Sequence, residues 1–168
     1  MIKLYSKFTL VIPTYGRRDK LLYTLKYYRD IGHLNLILCD GSPLPSLSEK
    51  EQDLLPSTFK YFCLPDMSLM DRLMYASQLI DTPYVLLGND EDVFIADYIH
   101  KSVSFLIANP GYICYSGAYL TLLRKLLIFP RLSLYKSSPN VVTEIDSPSS
   151  LNRYIQYTVG MLNNYPPT

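Results

Sequence analysis

Short hydrophobic segments alternate along the chain with segments whose apolar residues recur at helical spacing. The short segments are rich in β-branched and aromatic residues and are followed by turn-forming residues, which is typical of strands. The predicted strands are residues 8–12, 34–39, 59–64, 84–87 and 112–116. Helices are predicted from Asp19 onward, from a capping box at Ser48 and Glu51, from Leu69 to Ile80, and along Ile99, Val103 and Leu106.

This alternation predicts an α/β domain with a mostly parallel sheet. In such sheets, ligands bind beyond the carboxyl ends of the strands, where the connecting loops collect. Three polar loops follow predicted strands, at residues 13–17, 40–42 and 90–92. Because these loops share one edge of the predicted sheet, they outline a candidate site.

Composition and charge exclude several classes of protein. The chain has 168 residues, the size of one domain, and its 48% hydrophobic and 18% charged residues exclude intrinsic disorder. A net charge of +1 gives no electrostatic basis for nucleic-acid binding, and no apolar run reaches the roughly 18 residues of a spanning helix. Three cysteines are interpreted as free buried thiols in a reducing, cytoplasmic compartment: Cys39, Cys63 and Cys114.

Asp90, Glu91 and Asp92 follow the fourth predicted strand and carry the clearest chemistry. Neighbouring carboxylates repel one another, and a cation relieves that repulsion. Alternate residues of an extended segment point the same way, so Asp90 and Asp92 could share one face. Together they could bind Mg²⁺ or Mn²⁺ and leave coordination positions free for a diphosphate. The alternative is a solvated acidic turn at the start of the next helix.

Four further polar residues are candidates for binding a nucleotide. Asp40, followed by Gly41, could accept hydrogen bonds from a ribose or a base, or could form an Asx-type turn. Thr14 and Arg17 could hold a ribose or phosphates, although Arg17 could equally be a solvated charge at a helix start. Arg72, within a predicted helix, could reach a diphosphate or could have a surface or ion-pair role.

Three segments, in this order and spacing, resemble a family-2-like glycosyltransferase of the GT-A fold. They are FTLVIPTYGR at residues 8–17, LILCDGS at residues 36–42 and TPYVLLGNDED at residues 82–92. The resemblance implies a Rossmann-like, mostly parallel sheet in a three-layer α/β/α arrangement. It further implies that residues 1–120 bind a nucleotide-sugar donor.

The resemblance also assigns roles to single residues. Asp40 is expected to contact the nucleoside, while Asp90 and Asp92 take the place of the DxD carboxylates. Of these two, Asp92 is the expected direct ligand of Mg²⁺ or Mn²⁺. Three residues of the first loop are expected to line the nucleotide pocket: Pro13, Thr14 and Arg17.

The activity that the resemblance implies is metal-assisted transfer of a sugar, with inversion, from a nucleoside diphosphate sugar to a hydroxyl group. The acceptor, a glycan, lipid or protein, is not identified by the sequence, and no residue is assigned as catalytic base. Two alternatives stay open. One is a nucleotidyltransferase, which uses similar sheets and acidic metal sites, and the other is a non-catalytic module that binds a sugar nucleotide or a protein.

Residues 121–168 are interpreted as the start of an acceptor-binding half that is incomplete within a single GT-A-like domain spanning residues 1–168. Apolar residues at 122–129 and 151–162 would then lie uncovered and favour self-association. Residues 122–129 also contain a basic pair and could lie at a membrane surface, against the alternative of an ordinary buried strand or helix. Glu144 and Asp146 are the only late acids, and so the first places to seek the base.

Overall fold

The computed structural model describes residues 5–112, 115, 119–125, 131–137 and 149. The chain divides into two units, Met1–Tyr115 and Ser116–Thr168. The first unit carries a four-stranded sheet with helices, and the second carries an antiparallel pair of strands.

Strands and helices alternate in the first unit, and its four strands form one sheet in the order β3-β2-β1-β4. All pairings in this sheet are parallel, which confirms the predicted α/β class. The strands are β1 (Phe8–Thr14), β2 (Asn35–Asp40), β3 (Phe59–Cys63) and β4 (Tyr84–Leu87). The helices are α1 (Arg18–Ile31), α2 (Glu49–Asp53), α3 (Leu69–Ser77) and α4 (Ala96–Ala108).

Helices cover both faces of the sheet. Successive residues of a strand point to opposite sides, so neighbouring residues of β1 pack against different helices. On one face, Leu10 of β1 belongs to a buried cluster with Leu25 of α1 and Ile99 of α4. On the other face, Val11 of β1 packs in a second cluster with Ala76 of α3. The described elements of the first unit therefore form three layers.

The order of the strands reverses beside β1. From β1 the chain moves outward to β2 and then β3, with α1 on one face together with Leu47 and Leu55, which flank α2. The chain then passes through α3 on the opposite face and returns to β4, on the other side of β1. Such a reversal opens a crevice at the carboxyl ends of the two flanking strands, here β1 and β4, and open α/β sheets bind ligands there.

The first strand is two residues longer than predicted, since it continues through Pro13 to Thr14. Its pairing with β4 ends at Val11, whereas its pairing with β2 continues to Thr14. Pro13 therefore lies beyond the β4 pairing, where proline's missing N–H breaks no hydrogen bond to that strand. As a result, Thr14 lies in register with Asp40, and two predicted site residues end adjacent strands.

Two helix boundaries follow from local hydrogen bonds. The predicted capping box is present before α2, where the main-chain N–H and hydroxyl of Ser48 both donate to Glu51 Oε2, at 2.8 and 2.7 Å. Helix α3 ends at Ser77, three residues before the predicted end. The next N–H groups bond three residues back, for example Gln78 to Tyr75, so the last turn tightens and the α-helix stops.

The second unit contains β5 (Tyr119–Lys125) and β6 (Arg131–Ser137), which pair antiparallel with Tyr119 opposite Ser137. The first residues of the apolar stretch at 122–129 thus belong to a strand. The remainder of that stretch and the apolar residues at 151–162 lie outside the described residues, as do Cys114, Glu144 and Asp146. Within the ranges described here, no helix is both long and apolar enough to cross a membrane.

Candidate functional site

Thr14 and Asp90 meet beyond the carboxyl ends of β1 and β4, where the strand order reverses. The Thr14 hydroxyl donates to Asp90 Oδ2 at 2.5 Å, and both residues are buried. The hydroxyl of Thr24 on α1 donates to the main-chain oxygen of Asp90 at 3.1 Å. These bonds tie the loop after β4 to β1 and α1, so two of the three predicted loops lie together.

Arg17 and Lys20 supply the positive charge that the acidic triplet requires. Arg17 Nη1 lies 3.2 Å from Asp90 Oδ1 and also contacts Glu91 Oε1. Lys20 Nζ lies 2.8 Å from the same Glu91 oxygen. The hydrogen bond from Lys20, with the charge of Arg17, lowers the pKa of Glu91 below its usual value. Repulsion within the triplet is therefore relieved by the chain's own side chains.

A turn led by Asn89 separates the two aspartates of the triplet. Asn89 Oδ1 accepts hydrogen bonds from the main-chain N–H groups of Glu91 at 2.9 Å and Asp92 at 2.8 Å. Its Nδ2 donates to Asp92 Oδ2 at 2.8 Å. The segment is bent rather than extended, so the alternation that led to a shared face does not apply, and Asp90 is buried while Asp92 is exposed.

The two aspartates differ as possible metal ligands. Both carboxylate oxygens of Asp90 already have partners, Thr14 and Arg17. Asp92 is exposed, and only its Oδ2 is bonded, to Asn89, among the contacts that the structure describes. In the described ranges no group of three or more histidine, cysteine or acidic side chains forms a metal site. Because Mg²⁺ often takes one or two carboxylates plus substrate phosphates, Asp92 fits a shared site and Asp90, as placed, does not.

Asp40 is the last residue of β2 and is fully buried, and its carboxylate accepts four hydrogen bonds. Its Oδ1 accepts from the main-chain N–H of Ser42 at 2.9 Å and from the Ser42 hydroxyl at 2.5 Å. Its Oδ2 accepts from the N–H of Ser46 at 2.8 Å and the hydroxyl of Tyr61 at 2.6 Å. Burial raises the pKa of Asp40, but these hydrogen bonds outweigh it and hold the pKa below its usual value.

The bond from Ser42 N–H to Asp40 is the Asx turn that the sequence left open as an alternative. Ser42 also links two loops, because its Oγ accepts a hydrogen bond from the N–H of Gly16 at 2.8 Å. Gly16 has a φ of 65°, a conformation that glycine adopts at little cost. Asp40 thus fixes the loops after β1 and β2 relative to each other, and its contact with a nucleoside stays a prediction.

Arg72 lies on α3 beneath these two loops, and only 6% of the residue is exposed. Its Nη1 donates to the main-chain oxygens of Thr14 at 2.6 Å and Cys39 at 3.0 Å, at the ends of β1 and β2. Its Nε is buried and has no hydrogen-bond partner. A β-carbon at Gly41 would come within 2.5 Å of the guanidinium, so only glycine leaves space there.

No carboxylate within the described ranges forms a salt bridge with Arg72. The surface and ion-pair roles considered from the sequence are therefore wrong for this residue. Among the described residues, its charge is met by the main-chain oxygens of Thr14 and Cys39 alone, and a buried charge without a counter-ion is costly. A buried, partly unsatisfied group of this kind calls for a structural or functional explanation.

Several residues of the site had not been singled out from the sequence. Ser46 and Tyr61 gave no local signal, because their contacts with Asp40 arise only when β3 pairs beside β2. Asn89 could have been found, since asparagine directly before an acidic run is a common turn residue. Lys20 could also have been found, since it lies three residues after Arg17 at the start of α1.

A buried thiol, a histidine and an apolar cavity take no part in the site. Burial raises the pKa of Cys39 to about 11, which agrees with its interpretation as an unreactive thiol. His100 packs edge-on against Tyr5, with ring centroids 4.5 Å apart. A cavity of about 180 Å³ between α1 and α2 is lined mainly by apolar side chains, including Leu25 and Phe59, and includes none of the site residues.

No protein-family model and no curated protein matches the sequence. The chemistry of the site therefore rests on its own residues. Those residues are a buried cation, a buried carboxylate tied to the first loop, and an exposed carboxylate at the same edge of one parallel sheet.

Proposed function

We propose that the chain binds a nucleoside diphosphate sugar at the carboxyl edge of its parallel sheet and transfers the sugar to an acceptor hydroxyl, as a glycosyltransferase of the GT-A type. The observation that carries this proposal is Arg72, a buried cation with an unpartnered Nε and no salt bridge in the described ranges. A diphosphate supplies the negative charge that this position lacks.

The topology of the sheet supports a donor position at the carboxyl end of β1, whose Thr14 main-chain oxygen Arg72 also contacts. The crevice between β1 and β4 lies where the strand order reverses, which is the usual ligand position in open α/β sheets. Thr14 and Pro13 form its β1 wall, and the loop from Asn89 to Asp92 forms its β4 wall. Arg17 lies half exposed beside both walls and is positioned to contact phosphate oxygens.

Each acidic residue of the triplet has a separate role in this proposal. Asp92 would hold Mg²⁺ or Mn²⁺ jointly with the diphosphate, and the ion would there supply positive charge to the departing nucleoside diphosphate. Asp90 is a positioning residue that orients Thr14 and Arg17 through its two oxygens. Glu91 holds Arg17 and Lys20 beside the crevice.

The reaction breaks the bond between the anomeric carbon and the β-phosphate oxygen and forms a bond to the acceptor oxygen, while a base takes the hydroxyl proton. Arg72 favours this step because its positive charge is already oriented where negative charge accumulates on the leaving group. Asp40 keeps the loops after β1 and β2 in place during the reaction, since its four hydrogen bonds are internal. No described residue is assigned as the base.

Calorimetry and thermal shift with UDP, GDP, CDP and ADP test donor binding directly. One of these nucleotides at 100 times its Kd is expected to stabilise the protein by about 2.7 kcal/mol. Arg72→Met is expected to abolish this stabilisation. Arg29→Met removes the same charge from the exposed side of α1 and is the matched control. Binding that is equal in the wild type and Arg72→Met would contradict the proposal.

Turnover assays separate the candidate activities. Sugar release or transfer from the matching nucleotide sugar would support a glycosyltransferase, whereas transfer of radiolabel from a nucleoside triphosphate would indicate a nucleotidyltransferase. Nucleotide binding without either reaction would indicate a binding module. Incubation with a panel of glycan, lipid and peptide acceptors identifies the class of acceptor.

A further inference from the structure

The cavity of about 180 Å³ between α1 and α2 combines a buried apolar wall with an exposed edge. Leu25, Leu47 and Phe59 line it, and none of these residues is more than 7% exposed. Leu54 also lines it and is 74% exposed, so the cavity is open to solvent on that side. Apolar cavities of about 150 Å³ bind molecules as large as benzene. This cavity therefore has room for a short apolar chain.

Two cations of α1 line the same cavity. Lys26 and Arg29 lie three positions apart, on one side of the helix, and both are exposed. Neither forms a salt bridge with any residue that the structure describes. By contrast, Arg18 and Lys20 in the first turn of α1 each pair with a glutamate. The positive charge beside the cavity is thus left without a counter-ion in the described ranges.

Glu51 is the one acid among the described residues that line the cavity, and its carboxylate already has partners. Its Oε1 accepts a hydrogen bond from Arg18 at 2.6 Å, and its Oε2 accepts from the N–H and hydroxyl of Ser48. These hydrogen bonds lower the pKa of Glu51 to about 2. The charge that remains uncompensated along the cavity is therefore positive.

We propose that the cavity binds a small amphiphilic anion, a carboxylate that carries an unbranched apolar chain of about six to eight carbon atoms. The chain lies against Leu25, Leu47 and Phe59, and the carboxylate pairs with Lys26 and Arg29. Apolar burial favours the chain, and charge-assisted hydrogen bonds favour the acidic head. This binding site goes beyond the proposed function, because none of the residues at the carboxyl edge of the sheet lines the cavity.

The test is a titration of ¹⁵N-labelled protein with hexanoate, octanoate and uncharged octanol, followed by nuclear magnetic resonance. Octanoate is expected to shift amide signals of α1, α2 and residues 54–56. It is expected to bind on the order of tenfold more tightly than hexanoate, because it buries two more methylene groups. Added salt is expected to weaken binding of octanoate and not of octanol, since only octanoate pairs with the cations.

Four variants separate the contribution of charge from that of the cavity. Lys26→Met and Arg29→Met are each expected to lower octanoate affinity about twofold to fivefold and to leave octanol affinity unchanged. Lys50→Met is the matched control, because Lys50 is exposed on α2 and does not line the cavity. Leu22→Phe adds volume within the cavity and is expected to weaken binding of both ligands.

Circular dichroism establishes that each variant folds, and Leu55→Phe, at another wall of the cavity, replaces Leu22→Phe if that variant does not fold. Arg29→Met is expected to keep nucleotide binding while losing octanoate affinity, and Arg72→Met to do the reverse. The two sites are thereby tested independently of each other.

Three results would overturn the proposal. The first is an absence of octanoate shifts at α1 and α2, or shifts scattered over the whole surface. The second is an equal loss of octanoate affinity in Lys26→Met, Arg29→Met and Lys50→Met, or no loss in any of them. The third is a change of the α1 and α2 signals on dilution without ligand, because a second copy of the chain would then cover the cavity.

Discussion

The guanidinium of Arg72 lies so close to Gly41 that a β-carbon there would sit 2.5 Å from Arg72 Cζ and 2.6 Å from Nη1. The loop after β2 and the Arg72 side chain on α3 are therefore closely packed against each other. Because Nη1 also donates to the Thr14 and Cys39 main-chain oxygens, the guanidinium cannot shift without losing hydrogen bonds.

Gly41→Ala is expected to destabilise the protein by about 1–3 kcal/mol, because the displaced guanidinium leaves buried carbonyl groups unsatisfied. Nucleotide binding is expected to fall in parallel, since Arg72 loses its position. Gly111→Ala is the control, because a β-carbon at position 111 meets nothing within 4 Å. Chemical denaturation measures the stability of both variants, and equal stabilities would contradict the close fit.

Asp40→Asn is expected to lower the free energy of unfolding at neutral pH by about 2 kcal/mol or more, because a buried carboxylate loses charge-assisted bonds. Tyr61→Phe removes one of the four hydrogen bonds that Asp40 accepts and is expected to cost about 1.5–3 kcal/mol, because the acceptor is charged. Asp53→Asn, at the exposed end of α2, is the control. Denaturation at neutral pH ranks the three variants, and a neutral effect of Asp40→Asn would show that the network contributes little.

The pH dependence of stability tests the same carboxylate. The folded pKa of Asp40 is lowered from 3.8, so the unfolded chain takes up its proton first as the pH falls. The contribution of Asp40 is fully present above pH 3.8 and is lost as the pH falls through the lower, folded pKa. Unfolding measured across this range is expected to show a shallower acid dependence in Asp40→Asn than in Asp53→Asn. Identical slopes would contradict the lowered pKa.

The fold could be predicted from the sequence because its signals are local. Each strand is a short apolar run and each helix carries an apolar stripe, so the alternation gave the parallel α/β sheet. The placement of Thr14 beside Asp40 also followed, since residues after parallel strands collect at one edge. The strand order, and hence the crevice between β1 and β4, depends on which strands pair and has no local signature.

The site was predicted less completely because its side chains depend on distant partners. Arg72 lies four residues before Ala76, so the helical period places both on the buried side of α3, yet a charged residue on a helix is usually at the surface. The shared face expected for Asp90 and Asp92 failed for a local reason, the turn led by Asn89. Arg17 and Lys20 offset the repulsion expected within the triplet, and binding of a metal ion there stays a prediction.

Thr14→Val and Thr24→Val compare two buried hydroxyl groups that bond the same aspartate. Thr14 donates to the Asp90 carboxylate and Thr24 to its main-chain oxygen. Bonds to charged groups contribute about 1.5–3 kcal/mol and neutral ones about 1 kcal/mol, so Thr14→Val is expected to cost more. Denaturant unfolding gives both values. A larger loss in Thr24→Val would mean that the carboxylate of Asp90 is held mainly by Arg17.

Asp92→Asn is expected to abolish the enhancement of nucleoside diphosphate binding by Mn²⁺ while leaving the unfolding midpoint nearly unchanged. Asp92 is exposed in a loop after β4, so its neutralisation removes a metal ligand without opening the core. The Asn89 turn is expected to persist, because two of its hydrogen bonds come from main-chain N–H groups. Calorimetric titration of UDP and GDP, with Mn²⁺ and with a chelator, measures the enhancement.

Asp66→Asn is the control for this titration, because Asp66 is also an exposed aspartate in the turn before α3 and lies outside the crevice walls. If Asp92→Asn and Asp66→Asn lower the enhancement equally, general charge rather than ligation explains it. If Mn²⁺ enhances binding equally in the wild type and Asp92→Asn, the triplet is only an acidic turn neutralised by Arg17 and Lys20. In that case the negative charge of the diphosphate must be balanced by positively charged side chains of the protein, and Arg72 is the first of these to examine.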